Sequence, residues 1–415
     1  MEELKEGWRK VKLGDIIDFN PKETLKKNTI SKYVEMAQLQ CFARNIIGYS
    51  FKEYKGGTKF RNGDTLLARI TPCLENGKTA FVDILEEDEV GFGSTEYIVL
   101  RKKEGYTDEN YIFYLAISDL FRQIAIKSMT GTSGRQRVQT EVLKNSEIVI
   151  PEVNIQKKIA SILSLLDEKI ELNRKINQNL EEIAQALFKR WFIDFEFPNK
   201  EGKPYKSSGG KMIKSELGEI PEGWRSFSLK DIVKQIKPGT NFQPKRLDKG
   251  IPFLNIKNIV NSEIDLNDVK YISEVDYEKV HKTWKPQEKD ILISRIGTLG
   301  LVTILKKNKL PIAVHYNFLV IKAKKISSYF LYFLLKSQEF QKKYDSIKKQ
   351  SVQEYVTVED VEEIKVVLPE NLEILYEKYF ISFYKEIIKN QDEIYKLKEL
   401  RDYLLPKLMS GEISV

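Results

Sequence analysis

"GTSGRQRVQTEVLKNSEIVIPEVNIQKKI", residues 131–159, sets four textures side by side. A Gly/Ser/Thr/Arg loop leads into a short helical stretch, then a strand-like "EIVIP", then the start of a long periodic run. Some two hundred residues later "QSVQEYVTVEDVEEIKVVLPENLEI", residues 350–374, repeats that order. The same unit is written twice, and the matches extend outward from it. "GWRKVKLGDI" (7–16) returns as "GWRSFSLKDI" (223–232), and "GDTLLARI" (63–70) as "KDILISRI" (289–296). "TEYIVLR" (95–101) returns as "YNFLVIK" (316–322), "YIFYLAIS" (111–118) as "YFLYFLLK" (329–336), and "SEIVIPE" (146–152) as "EIKVVLPE" (363–370). The offsets stay between 216 and 226 in constant order, which establishes an internal duplication.

Within each half, β-branched runs such as "DTLLARI", "KTAFVDI" and "EYIVLRK" have strand length. Thr107, ahead of Asp108 and Glu109, is expected to cap an aromatic-rich helix over 108–127, and Ser327 and Ser328 to start Tyr329–Tyr344. After Pro151, which suits the first turn of a helix, a 3/4 spacing takes over. Ile159, Ile162, Leu166, Ile176, Leu180, Ile183 and Leu187 form its expected seam, with Lys169, Asn173 and Arg190 as polar exceptions. The second tail repeats this with Phe380, Phe383, Ile387, Ile394, Leu397, Leu404 and Leu408, interrupted by Asn390 and Arg401, and Gly411 is a suitable stop. Two readings of Asn173 and Asn390 stand: buried residues that fix the register of paired helices, or residues at a wet edge.

The expected fold is α+β. Two mixed α/β domains are separated by two long antiparallel coiled-coil helices, with pseudo-two-fold symmetry from the duplication. The expected segments are 1–150, a helix over 151–197, a Gly/Ser/Lys/Pro-rich linker over 198–222, a second domain over 223–368 and a second helix over 369–415.

Composition narrows the chemistry. The 415 residues carry 68 Lys and Arg against 60 Asp and Glu, a formal net charge of +8, which favours a polyanionic partner. Two cysteines, Cys41 and Cys73, and two histidines, His281 and His315, are too few for a disulfide framework or a metal cluster. The cysteines are expected to be small buried side chains. No apolar run approaches the ~18–20 residues of a membrane span, and the charged start "MEELKEGWRK" is no signal peptide, so a cytoplasmic location is expected. "ENGKTA" (75–80) holds the Gly-Lys-Thr of a phosphate loop, but Pro72 stands where that loop needs its first glycine. "GFGS" (91–94) lacks the third glycine of a dinucleotide turn, and no Asn/Asp-Pro-Pro-Tyr/Phe box is present. "EEIK" (362–365) is a Glu-x-Lys of a kind common in so charged a chain. No catalytic constellation is expected.

With these pieces assembled, the chain resembles the specificity subunit of type I restriction–modification systems over nearly its whole length. The resemblance is carried by "GWRKVKLGDI", "ARITPCLENGKTA" (68–80), "GSTEYIVLR" (93–101), "GTSGRQRV" (131–138), "IVIPEVNIQKKIASILSLLDEKIELN" (148–173), "LFKRWFIDFEF" (187–197) and "LRDYLLPKLMSGEI" (400–413). It implies two target-recognition domains, each reading half of a bipartite double-stranded DNA site. It further implies helices that set the half-site spacing and dock two methyltransferase subunits, with restriction/translocase subunits completing the complex. S-adenosylmethionine, ATP and Mg would belong to those partners, with no cofactor or metal on this chain, which would be non-catalytic. The second half departs from the fuller pattern, with "RIGTLGLVT" (295–303) and "KQSVQEY" (349–355). Two alternatives remain: a structural adaptor of the same architecture assembling other DNA-defence partners, and a fused modification enzyme, against which the missing box argues.

Loops that place Gly beside Arg and Gln let backbone approach phosphate while side chains reach base edges. The candidates in the first half are Arg69, Thr71, Asn76, Lys78, Ser94, Thr132, Ser133, Arg135, Gln136 and Arg137, with Gln38 and Gln40 further off. In the second half they are Lys257, Asn258, Arg295, Thr298, Tyr316, Asn317, Gln350 and Gln353, with His315 beside them. The competing reading is that the arginines pair acids and the loop packs on the helices. Phe188, Trp191, Phe192 and Phe195 offer a dock for a methyltransferase subunit, or a cap on their own coiled coil.

Overall fold

The computed structural model describes residues 5–132, 134–260, 262–350, 353–370 and 374–415. Contacts divide it into two compact units, Met1–Lys175 with Asn390–Val415, and Ile176–Lys389. Each unit has its own hydrophobic core.

In the first unit, strands Ile17–Phe19, Tyr97–Lys102, Thr65–Ala68 and Thr79–Phe81 form an antiparallel sheet in that order. A second sheet runs Ser50–Glu53, Ile30–Val34, Gly91–Gly93, Thr58–Phe60, with a parallel pair at its centre. Trp8–Lys12 pairs antiparallel with Glu147–Pro151, just before the first long helix. The second unit repeats this plan. Val233–Pro238, Phe318–Ala323, Ile291–Ser294 and Val302–Ile304 make the antiparallel sheet, and Ile251–Leu254 lies parallel to Ala313–Val314. Trp224–Ser228 pairs with Lys365–Pro369. The duplication is therefore topological as well as textual.

The central strands are mostly apolar and buried along most of their length, and the aromatic helices pack on their sheets. The expected single helix over 108–127 is two, Glu109–Ile117 and Asp119–Lys127. Ser118 is extended (φ −68°, ψ 149°) and its Oγ accepts from Phe121 N–H, so it caps a new helix instead of continuing the old one. The cap of the first is Asp108, whose carboxylate accepts from Asn110 and Tyr111 N–H, while the Thr107 hydroxyl donates to Ile16 O. The second unit breaks likewise at Ser337, between Ser328–Lys336, capped by Ser327, and Gln338–Ser346. Pro151 ends a strand, and the helix starts at Val153. The segment after residue 198 is more ordered than a linker: Phe197 stacks on Tyr205 at 4.6 Å and Met212–Ser215 forms a hairpin with Gly218–Pro221.

The two long helices, Val153–Phe188 and Ile374–Met409, each have 36 residues, about 54 Å at 1.5 Å per residue. Each contributes to both units. In the first, Asp167 meets Arg401 and Asn173 Nδ2 donates to Glu393 at 3.0 Å, so the segments run antiparallel. In the second, Asn177 Nδ2 donates to Ile387 O at 3.2 Å and Phe188 packs on Phe380, again antiparallel. Asn173 and Asn390 are both buried, which favours the register reading.

The seam of the first helix differs from expectation. Ile162, Ile176 and Ile183 are exposed, and the buried face runs through Gln156, Ile159, Leu163, Asp167, Ile170, Asn173 and Ala184. Gln156, Asp167 and Asn173 belong to it because each finds a hydrogen-bond partner there, something apolar spacing does not register. On the second helix Phe380, Ile387 and Leu408 are buried as expected, with Asn390 and Arg401 among them. Among the described residues no helix is long and apolar enough to cross a membrane.

Candidate nucleic-acid interface

In the first unit, a strand end and two loops are tied together by backbone hydrogen bonds. Arg69 N–H donates to Glu96 O at 2.9 Å, Val138 N–H to Arg69 O at 2.9 Å, and Thr71 N–H to Gln136 O at 3.0 Å. Arg137 bridges both Ile70 and Thr130, closing the loop that carries Thr132, Arg135 and Gln136. These bonds bring Arg69, Thr71, Gln136 and Arg137 together, with Ser94, whose Oγ accepts from Glu96 N–H at 3.1 Å. Ser133 lies outside the described residues.

Within this group the side chains differ in availability. Arg135 is exposed and makes no side-chain hydrogen bond or ion pair among the described residues, and Thr132 and Asn76 are exposed too. Arg137 is taken: its Nη2 donates to Glu96 Oε1 at 2.7 Å and its Nε lies 3.0 Å from both carboxylate oxygens. That pairing holds the Glu96 carboxyl below its ordinary range, with the Arg137 hydrogen bond outweighing burial. Arg137 thus pairs an acid through Nε and Nη2, and its exposed side chain keeps Nη1 without a hydrogen bond among the described residues. Lys78 donates to Met36 O at 2.7 Å and serves the fold. Gln38 accepts from Glu35 N–H in a local cap, and Gln40 is half-buried.

Beside the cluster is a cleft of about 560 Å³ lined by Lys22, Thr24, Thr58, Lys59, Arg69 and Thr95. Lys22, Thr24 and Lys59 were not singled out from sequence, because nothing local marks them: the segments 20–24 and 57–59 lie at strands of different sheets and meet through a side chain, Lys59 Nζ donating to Glu23 O. Glu23, an acid of the cleft, is spent on Arg61 and Arg101, both at 2.6–2.7 Å. Gly57 sits at φ +119°, and a Cβ there would lie 2.3 Å from Gly93 O, so only glycine allows this wall.

The second unit builds the matching cluster. Arg295 N–H donates to Asn317 O at 2.7 Å, Val356 N–H to Arg295 O at 3.0 Å, and Tyr355 bridges both Ile296 and Lys349. Thr298, Gln350 and Gln353 are exposed around it. The Tyr316 and His315 rings meet tilted at 44° with centroids 4.4 Å apart, and burial, with Arg246 nearby, lowers the His315 pKa. Two candidates serve structure instead. Asn258 is buried, with its Oδ1 accepting from Asn255 N–H and its Nδ2 donating to Asp265 O. Lys257 is paired with Asp268.

The aromatic cluster goes inward. Phe188, Trp191 and Phe192 are buried in the second unit's core against Trp224, Phe330 and Phe380, and Phe195 packs partly buried on Trp224. Phe188, Trp191 and Phe192 therefore serve the second unit's own core, while Phe195 keeps part of its surface exposed. Cys41 is exposed and Cys73 half-buried, both free, because their loops lie at the surface; neither is the buried side chain expected. No group of three or more His, Cys, Asp or Glu among the described residues could hold a metal ion.

A chain with two copies of one mixed α/β module, each presenting a cationic loop cluster, belongs to the class of duplicated DNA-recognition proteins. The model of the type I restriction modification DNA specificity domain matches it twice, over residues 5–182 and 221–400, and the chain belongs to that family. It is 27% identical to the type I restriction enzyme HindI specificity subunit of Haemophilus influenzae, over 98% of this chain and 99% of that one. It is 31% identical to the MjaIX specificity subunit of Methanocaldococcus jannaschii, over 75% and 71%. The crystal structure of a type I restriction–modification S subunit from M. genitalium has the same fold, with a TM-score of 0.54 at 17% identity over 99% and 98% of the chains.

Proposed function

We propose that this chain is the sequence-reading subunit of a type I restriction–modification complex, each domain reading one half of a bipartite double-stranded DNA target. The observation that carries the proposal is the repeated cluster: two family domains whose loops are tied by the same backbone hydrogen bonds around Arg69 and Arg295. Two related readers suit a split, non-palindromic site, with the half-sites on one face of the duplex. The helices set the spacing and dock two methyltransferase subunits, and restriction/translocase subunits join them. What supports docking is an apolar stripe left in water: Ile162, Leu165 and Leu172, and further along the same helix Ile176 and Ile183, all exposed. S-adenosylmethionine, ATP and Mg would be held by the partners, and this chain would contribute address and assembly but no chemistry.

The test is selection of bound fragments from a random duplex library by the full-length chain, with mapping of methylated adenines in cells carrying the genes. A motif of two short blocks with a fixed gap is expected. A single block, or none, would refute the reading. Arg135→Ala should weaken binding by about 1–3 kcal/mol if Arg135 reads a guanine.

A further inference from the structure

The two reading clusters share a scaffold and differ at two positions that the backbone places in register. Glu96 O and Asn317 O accept from the corresponding arginine N–H groups, of Arg69 and Arg295. Arg137 bridges Ile70 and Thr130 as Tyr355 bridges Ile296 and Lys349. Glu96 therefore corresponds to Asn317, and Arg137 to Tyr355, while the arginine itself is common to both.

The common arginine is underused in each copy. Among the described residues the only side-chain bond of Arg69 is a long one, Nη2 to Val138 O at 3.4 Å; its Nε is buried without a partner, and its charge acts on Glu96 without a hydrogen bond. Arg295 also has a buried, unpartnered Nε, and makes no side-chain hydrogen bond or ion pair among the described residues. A guanidinium has five donors; here the Nε–H is the desolvated one, and leaving it unspent is costly, while the partly exposed Nη end stays open to a ligand. That the same cost recurs at the same point of two diverged domains points to a ligand common to both. Chemistry shared by all DNA sequences is the phosphodiester. The cleft beside Arg69 agrees, since Lys22 and Lys59 line it while its acid, Glu23, is neutralised.

The divergent positions carry different hydrogen-bond codes. The first domain has a carboxylate clamped by an arginine; the second has the Asn317 amide, with its Oδ1 buried and unpartnered and Nδ2 3.5 Å from Asn255 Oδ1. Carboxylates accept from cytosine, arginine forks onto guanine, and an amide matches adenine. We propose that Arg69 and Arg295 grip the DNA backbone in both half-sites, and that Glu96–Arg137 and Asn317–Tyr355 make the two domains read different bases. This rests on the DNA-reading function proposed above.

The experiment uses the full-length chain and selection from a random duplex library. Exchanging Glu96→Asn together with Arg137→Tyr should alter one block of the selected motif and leave the other unchanged. Arg69→Ala should weaken binding to every sequence roughly 5- to 150-fold and lower the slope of log affinity against log salt by about one, without altering the motif. If the exchange variant no longer melts cooperatively, the isosteric Asn317→Asp, expected to alter the other block alone, carries the test. A wild-type chain that selects no bipartite motif overturns the function and this assignment together. A wild-type chain that selects one, with the exchanged or Asn317→Asp chain selecting the same, overturns the assignment alone, as does an Arg69→Ala chain with a changed motif.

Discussion

Arg401 Nη1 donates to Asp167 Oδ1 at 2.7 Å, and both side chains are almost wholly buried between the antiparallel helix segments of the first unit. Tyr114 completes the group by donating its hydroxyl to Asp167 Oδ2 at 2.8 Å, which ties the recognition domain to the helix pair. Removing one partner of such a pair leaves an uncompensated buried charge. Asp167→Asn should cost about 3–5 kcal/mol in denaturant unfolding, whereas Asp167→Leu with Arg401→Met should recover most of it. Equal losses in both variants would show that the charges contribute through something other than their pairing.

Trp191 distinguishes a core ring from a docking ring. Buried against Phe380 and Tyr379, Trp191→Ala should destabilise the chain by about 3–5 kcal/mol, read as a fall in denaturation midpoint. Unchanged stability with weakened assembly would mean that the ring is available to a partner after all.

Leu165 and Leu172 should behave in the opposite way. Both are more than half exposed, at 62% and 51%, so Leu165→Asp and Leu172→Asp should leave the melting temperature within a degree or two. They should weaken capture of the methyltransferase subunit in a co-purification titration. Retained capture would move the docking surface elsewhere.

His281 gives the second unit a pH dependence. Its ring sits between Tyr277 and Trp284, at 5.1 and 4.9 Å, and burial pushes its pKa down to about 4. Between pH 4 and an unfolded-state value of about 6.5, the unfolded chain binds the extra proton, so stability rises with pH across this window and its contribution is lost as pH falls through it. The His281→Phe variant lacks that dependence. The stability difference between it and wild type should change by on the order of 3 kcal/mol between pH 7 and pH 4 in urea titrations. A constant difference would show that the imidazole is solvated.

The duplication and the family could be read from residue order, because repeats and strand-length apolar runs are local patterns. The second helix was legible in part: Phe380, Ile387 and Leu408 are buried as expected, Phe383, Ile394, Leu397 and Leu404 only partly, and Tyr384 was missed. The first was not. Its buried face includes Gln156, Asp167 and Asn173, and polar side chains go inside only when a partner from elsewhere meets them, here Pro151, Tyr114 and Glu393. Arg135 and Arg137, two residues apart, look alike in sequence, and only the fold shows one free and the other clamped to Glu96.

What the order of residues determined by itself is the plan: two copies of one module, two long helices and a net positive charge. Tertiary structure decided which end of each helix enters which core, which loop cations stay unpaired, and that Lys22 and Lys59 share a cleft with Arg69. The reason is physical. Periodicity and propensity act over a few residues, whereas burial, charge pairing and a vacant donor depend on groups brought together from distant parts of the chain.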